Sequence, residues 1–115
     1  MAIESSYVLM ASMDVEPDKE ALFNEVYDEH CAFLLQVPGV RSVSRLKGEP
    51  FQFSIAGEIK SLPAPKPVYT AVYELDSPAV PASAEWAAAV EKGRWAAEVR
   101  PYTSNRAHAM YRKLG

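Results

Sequence analysis

Two histidines, one cysteine and a handful of aromatic side chains hold nearly all the proton-transfer and nucleophilic chemistry available to this chain. His30 lies within a segment where Leu22, Phe23, Val26, Phe33, Leu34 and Val37 recur at helical spacing, with Asn24, Glu25, Asp28 and Glu29 on the opposite side. At about 100° per residue, His30 falls near the middle of that apolar stripe and points toward whatever the helix packs on. An imidazole there is a candidate general acid or base for a carbonyl or enol substrate. The competing reading is a structural histidine bonded to a backbone carbonyl or a tyrosine. His108 alternates with Arg106, Met110 and Arg112 along a C-terminal strand pattern. If that face meets the helices, Arg106 fixes an anionic or carbonyl substrate and His108 assists. If it meets a partner sheet, both belong to a dimer contact.

Tyr27, Tyr69, Tyr73, Trp86, Trp95 and Tyr102 are candidates for an aromatic pocket wall. Ligand sites are mostly apolar with a few polar anchors, but buried Tyr and Trp also serve as ordinary core. Cys31 follows His30 directly. Neighbours on a helix diverge by about 100°, so the two do not form a nucleophile–base pair, and a free structural thiol is expected. The sparse, widely separated His and Cys residues argue against a metal site. No Gly-rich phosphate loop, nucleophile elbow or dinucleotide fingerprint is present, so nicotinamide, flavin and ATP are not implied and no cofactor is expected.

These residues need elements to hold them. The chain has 115 residues, 49% hydrophobic and 23% charged, which suits one domain with a modest core. Twelve Lys and Arg against 15 Asp and Glu give a net charge of −3, which argues against nucleic-acid binding. The single cysteine suits a reducing compartment, and the N-terminal residues show neither a basic leader nor a long apolar run. A cytoplasmic protein with no membrane span is the expectation.

Tyr7 to Met13 reads as a first strand, and Asp18 as the N-cap of a helix over Asp18 to Leu35 that Pro38-Gly39 ends. Val40 to Lys47 and Val68 to Leu75 read as strands, as does Thr103 to Lys113. Ser77-Pro78 suggests a capped turn, and Ala82 to Glu91 a second helix that Gly93 breaks. Residues 48–67 form an extra flap. Phe51, Phe53 and Ile55 alternate, Ala56-Gly57 turns, Glu58-Ile59-Lys60 returns, and a proline-rich connector follows. The order is therefore strand, helix, strand, strand, helix, strand. This is the split βαβ plan of an α+β, ferredoxin-like domain, with a four-stranded antiparallel sheet and both helices on one face. The first and third strands carry apolar residues on both faces. The face without helices is expected to pair with a second copy, giving a homodimer.

Two stretches resemble the dimeric α/β-barrel superfamily, which includes ethyl tert-butyl ether degradation-type proteins, antibiotic-biosynthesis monooxygenases and muconolactone isomerases. One runs from Phe23 to Val43, with His30 central and Val37-Pro38-Gly39-Val40 at its end. The other comprises Tyr69 to Leu75, Ser77-Pro78, Trp86, Trp95 and a last strand bearing Arg106 and Tyr111. This second pattern looks most like a branch with no assigned reaction. The resemblance implies sheet-to-sheet dimers with a pocket between each subunit's sheet and helices. The leading expectation is a small-molecule-binding protein or cofactor-free isomerase, cyclase or monooxygenase acting on a hydrophobic oxygenated compound. The alternative is a non-catalytic dimeric accessory module of a catabolic pathway. Residues expected at the site are His30 and His108 as catalytic groups, and Tyr27, Tyr73, Trp86, Trp95 and Arg106 as binding groups.

Overall fold

The computed structural model describes residues 3–115. Its strands are β1 (Tyr7–Val15), β2 (Val40–Lys47), β3 (Phe51–Ile55), β4 (Glu58–Leu62), β5 (Tyr69–Leu75) and β6 (Thr103–Arg112), and its helices are α1 (Glu20–Leu34) and α2 (Ala84–Ala89). The main sheet has the order β2-β5-β1-β6, and all its pairings are antiparallel. With α1 and α2 included, this is the ferredoxin-like arrangement, with β3 and β4 added as a separate hairpin.

Alternation decides which side of the sheet is core. Leu9, Ala11 and Met13 of β1 and Tyr69, Ala71, Tyr73 and Leu75 of β5 are buried on the side that α1 covers. The helix supplies Phe23, Val26, Tyr27, His30, Cys31 and Leu34. These fall at i, i+3, i+4 and i+7 spacing, so one stripe of α1 meets the sheet. Cys31 is buried and free, and burial pushes its thiol up to about 11, consistent with a structural role.

Several boundaries differ from the sequence reading. Asp18 is not an N-cap. It lies inside a 3-10 turn (Pro17–Lys19) that leads into α1, whose own first residue has no side-chain cap. The second helix is only Ala84–Ala89, capped by Ser83, whose Oγ accepts from Trp86 N–H at 3.1 Å. Before it, Pro81 sits in a 3-10 turn (Val80–Ala82). After it, Gly93 takes φ +70°, and a π-helical turn (Trp95–Val99) and a 3-10 turn (Arg100–Tyr102) lead into β6. In the flap, Ala56 and Gly57 both have positive φ, the geometry of a tight hairpin turn. All ten strand residues of this hairpin are exposed. Among the described residues, no helix is long and apolar enough to cross a membrane.

Candidate functional site

Between α1 and the β1–β6 half of the sheet lies a half-open cavity of about 330 Å³. Leu9, Ala11 and Met13 of β1 and Tyr73 of β5 form its floor. Tyr27, His30 and Leu34 of α1 form one wall. The segment after β5 forms the other wall through Pro81, Trp86, Val90, Trp95 and Arg100, while Arg106 and His108 of β6 complete the lining. The seven site residues expected from the sequence therefore line one space.

The two remaining aromatic candidates lie elsewhere. The Tyr69 hydroxyl donates to a Glu20 carboxylate oxygen, and the Tyr102 ring lies 4.5 Å beneath the Lys19 ammonium. Sequence reasoning missed Arg100, Pro81 and Val90. The position of Arg100 depends on the π-helical turn before it, and no local periodicity announces such a turn.

His30 is 6% exposed. Its ring stacks on Trp95 (centroids 4.7 Å apart, planes 22° apart) and meets Tyr27 edge-on at 5.6 Å. Its Nδ1 is buried without a hydrogen-bond partner among the described residues. Burial, and secondarily the positive charge of Arg100, lowers its pKa from 6.5 to about 4. The imidazole is thus neutral at neutral pH and serves as a proton acceptor or neutral donor, not as a standing acid. Burial also pushes the Tyr27 hydroxyl up to about 12 and the Tyr73 hydroxyl higher still, so both remain protonated.

Acidic side chains on the outer side of α1 hold the Trp95 wall in place. Arg94 donates from its backbone N–H to Glu29 Oε1 at 3.3 Å, and its guanidinium reaches Glu29 and Glu25 at 3.2 and 3.1 Å. These partly exposed pairs add little stability but fix position. The next residue, Trp95, packs against Tyr27 at 4.8 Å and Phe23 at 6.1 Å. Trp86 meets Tyr73 edge-on at 5.3 Å from the opposite side.

The register of β6 places Arg106 and His108 on the helix side of the sheet. His108 stands opposite Ala11 and Met110 opposite Leu9, both helix-side positions. Near the start of β6, Ser12 pairs with Ala107 and Asp14 with Ser104, so Asn105 and Arg106 share the single partner position of Met13. This is a β-bulge. Asn105 takes φ +52°, and its amide donates to Asp14 Oδ2 at 2.8 Å. That bond, more than any other contact, holds the Asp14 carboxyl below its usual range. Among the described residues, no three His, Cys, Asp or Glu side chains gather as a metal site would require.

No protein-family model matches the chain, and no curated protein matches it. Among solved structures, the chain is similar to a crystal structure of a mutant of MhuD with two manganese protoporphyrin IX bound per active site. The TM-score is 0.59 at 13% identity, and the match covers 94% of each chain. At that identity the likeness concerns the fold.

Proposed function

We propose that this protein binds a small, hydrophobic, oxygenated compound in the cavity between α1 and the sheet, with His30 as the polar group that meets it. One observation carries the reading. His30 sits in the wall of a ligand-sized cavity, and Nδ1 is buried with no partner among the described residues. A histidine kept for structure is tied by a hydrogen bond, because a buried polar group left unsatisfied costs about 1–3 kcal/mol. This one stacks on Trp95 and meets Tyr27 edge-on, with Nδ1 unpartnered among the described residues. Aromatic walls and few polar groups are what a small-molecule site requires.

In catalysis, neutral His30 would accept a proton from a hydroxyl or from a carbon beside a carbonyl, and return it elsewhere on the ligand. Such a cofactor-free proton shuttle, with no change of oxidation state, suits an isomerase or cyclase type of reaction; a monooxygenase type would in addition need dioxygen, with the ligand itself as the reductant. Arg106 would hold the ligand's oxygen end, with His108 beside it at the rim. Tyr27, Tyr73, Trp86 and Trp95 would enclose its apolar body. The likeness to the MhuD mutant supports this reading only at the level of the fold. Its porphyrins are not carried over, since about 330 Å³ is at the bottom of the range for ligand pockets and does not suit a pair of tetrapyrroles. Pairing of two copies through the helix-free sheet face belongs to the same proposal.

Calorimetric titration with naphthol, a planar hydroxylated probe, tests the reading. We expect saturable binding at one site per chain and at least a tenfold loss of affinity in His30→Phe with the fold retained. No binding to the wild-type protein would favour a non-catalytic dimeric module. Equal binding by His30→Phe would remove His30 from the site.

A further inference from the structure

We infer that the ligand of this cavity is a ring-bearing monocarboxylate, with its ring against Trp86 and Trp95 and its carboxylate on Arg106. The inference rests on the small-molecule reading of the same cavity and narrows the ligand class.

The lining is electrically one-sided. Its titratable groups other than the two tyrosines are Arg100, Arg106, His30 and His108, and no Asp or Glu lines it, in a chain of net charge −3. Within that set the two arginines differ. Arg100 is already neutralised, since its Nη1 and Nη2 donate to the two carboxylate oxygens of Glu91 at 3.0 and 2.7 Å. Arg41, Arg45 and Arg94 likewise pair with Asp76, Asp28 and the Glu25/Glu29 pair. Arg106 pairs with no carboxylate among the described residues.

Arg106 is nevertheless held in place. Its Nε donates to Thr103 Oγ1 at 3.0 Å and its Nη2 to the Arg100 carbonyl at 3.0 Å. Thr103 Oγ1 donates to that same carbonyl at 2.8 Å, so one backbone oxygen anchors both groups. The guanidinium is therefore oriented through one side, and Nη1 has no partner among the described residues. The bulge that sets Arg106 places Asn105 at φ +52°, a left-handed conformation that asparagine adopts more readily than most residues other than glycine.

A planar guanidinium fork matches a carboxylate better than a neutral oxygen. One unpaired guanidinium balances one negative charge, which favours a monocarboxylate over a phosphate dianion. The remaining lining is apolar or aromatic, so the rest of the ligand is a ring system.

The test compares naphthoic acid with its amide, which share ring and planar head group but differ in charge. Each is titrated calorimetrically at neutral pH and low salt into the wild-type protein, Arg106→Gln and Arg106→Lys. We expect the acid to bind wild type at least tenfold more tightly than the amide, with added salt weakening only the acid. Arg106→Gln should bring the two to near parity. Arg106→Lys, which keeps the charge and loses the fork, should retain part of the preference and provides the reading if the glutamine variant fails to fold. If the amide binds wild type as well as the acid does, or the preference survives unchanged in both variants, the carboxylate assignment falls while the small-molecule site stands. If neither compound binds while naphthol does, the carboxylate assignment falls alone; if none of the three binds, the small-molecule reading falls and this inference with it.

Discussion

His30 is the residue on which the site turns, and its placement was legible from sequence because helical periodicity is a strong signal. A residue in the middle of an apolar stripe cannot reach solvent without exposing Phe23 and Leu34. Its electrostatic state was not legible. An ordinary imidazole titrates near 6.5, but this one is lowered to about 4, because burial against Trp95 depends on a wall more than sixty residues downstream in sequence. This shift has a signed consequence. An unfolded chain's histidine takes up a proton near 6.5, whereas the folded one does so near 4. Between those values the unfolded state binds more protons, so stability rises with pH. His30 should therefore cost up to about 3 kcal/mol of stability as pH falls from 6.5 to 4. Urea unfolding across that window checks it. His30→Phe should flatten this part of the profile and leave stability at pH 7 unchanged or about 1 kcal/mol higher, since it removes an unsatisfied buried nitrogen. A profile identical in both proteins would show that His30 does not set it.

At the scale of elements, the strands and α1 follow from alternation and periodicity to within two residues at each end, but the wall between β5 and β6 does not. The Ala82 to Glu91 stretch looks like a long helix because alanine favours one. In the structure only Ala84–Ala89 forms α2, capped by Ser83 and preceded by the 3-10 turn that holds Pro81. Gly93 is the hinge of that wall. Its φ of +70° is one that glycine adopts freely, and a Cβ there would meet Glu29 Oε1 at 2.5 Å and Phe33 Cε2 at 2.7 Å. Gly93→Ala should destabilise the protein by about 1–3 kcal/mol and loosen the Trp95 and Arg100 placement together. Urea unfolding with tryptophan emission as the probe reads both effects. The bulge at Asn105 was equally hidden, because Ser-Asn-Arg in a strand carries no mark of the register shift that sets Arg106.

At the scale of the molecule, one side of the sheet is covered by helices and the other is not. Val8, Met10, Leu46, Val72 and Tyr111 lie on the second side, with Leu46 and Tyr111 more than half exposed. The β3–β4 hairpin adds Phe51, Phe53 and Ile55 to the exposed apolar surface. Light scattering at micromolar concentration should give twice the chain mass, and Leu46→Glu should weaken the dimer at least tenfold. A wild-type monomer would remove the pairing. The central claim is that the cavity holds a ligand, and the chain's only two tryptophans both line it. Their indole N–H signals are therefore built-in reporters. An NMR titration of the nitrogen-15-labelled protein with naphthol should move both indole cross-peaks along one saturable curve, together with the His30 ring signals. Indole signals that stay fixed while naphthol is raised to its solubility limit would contradict the account.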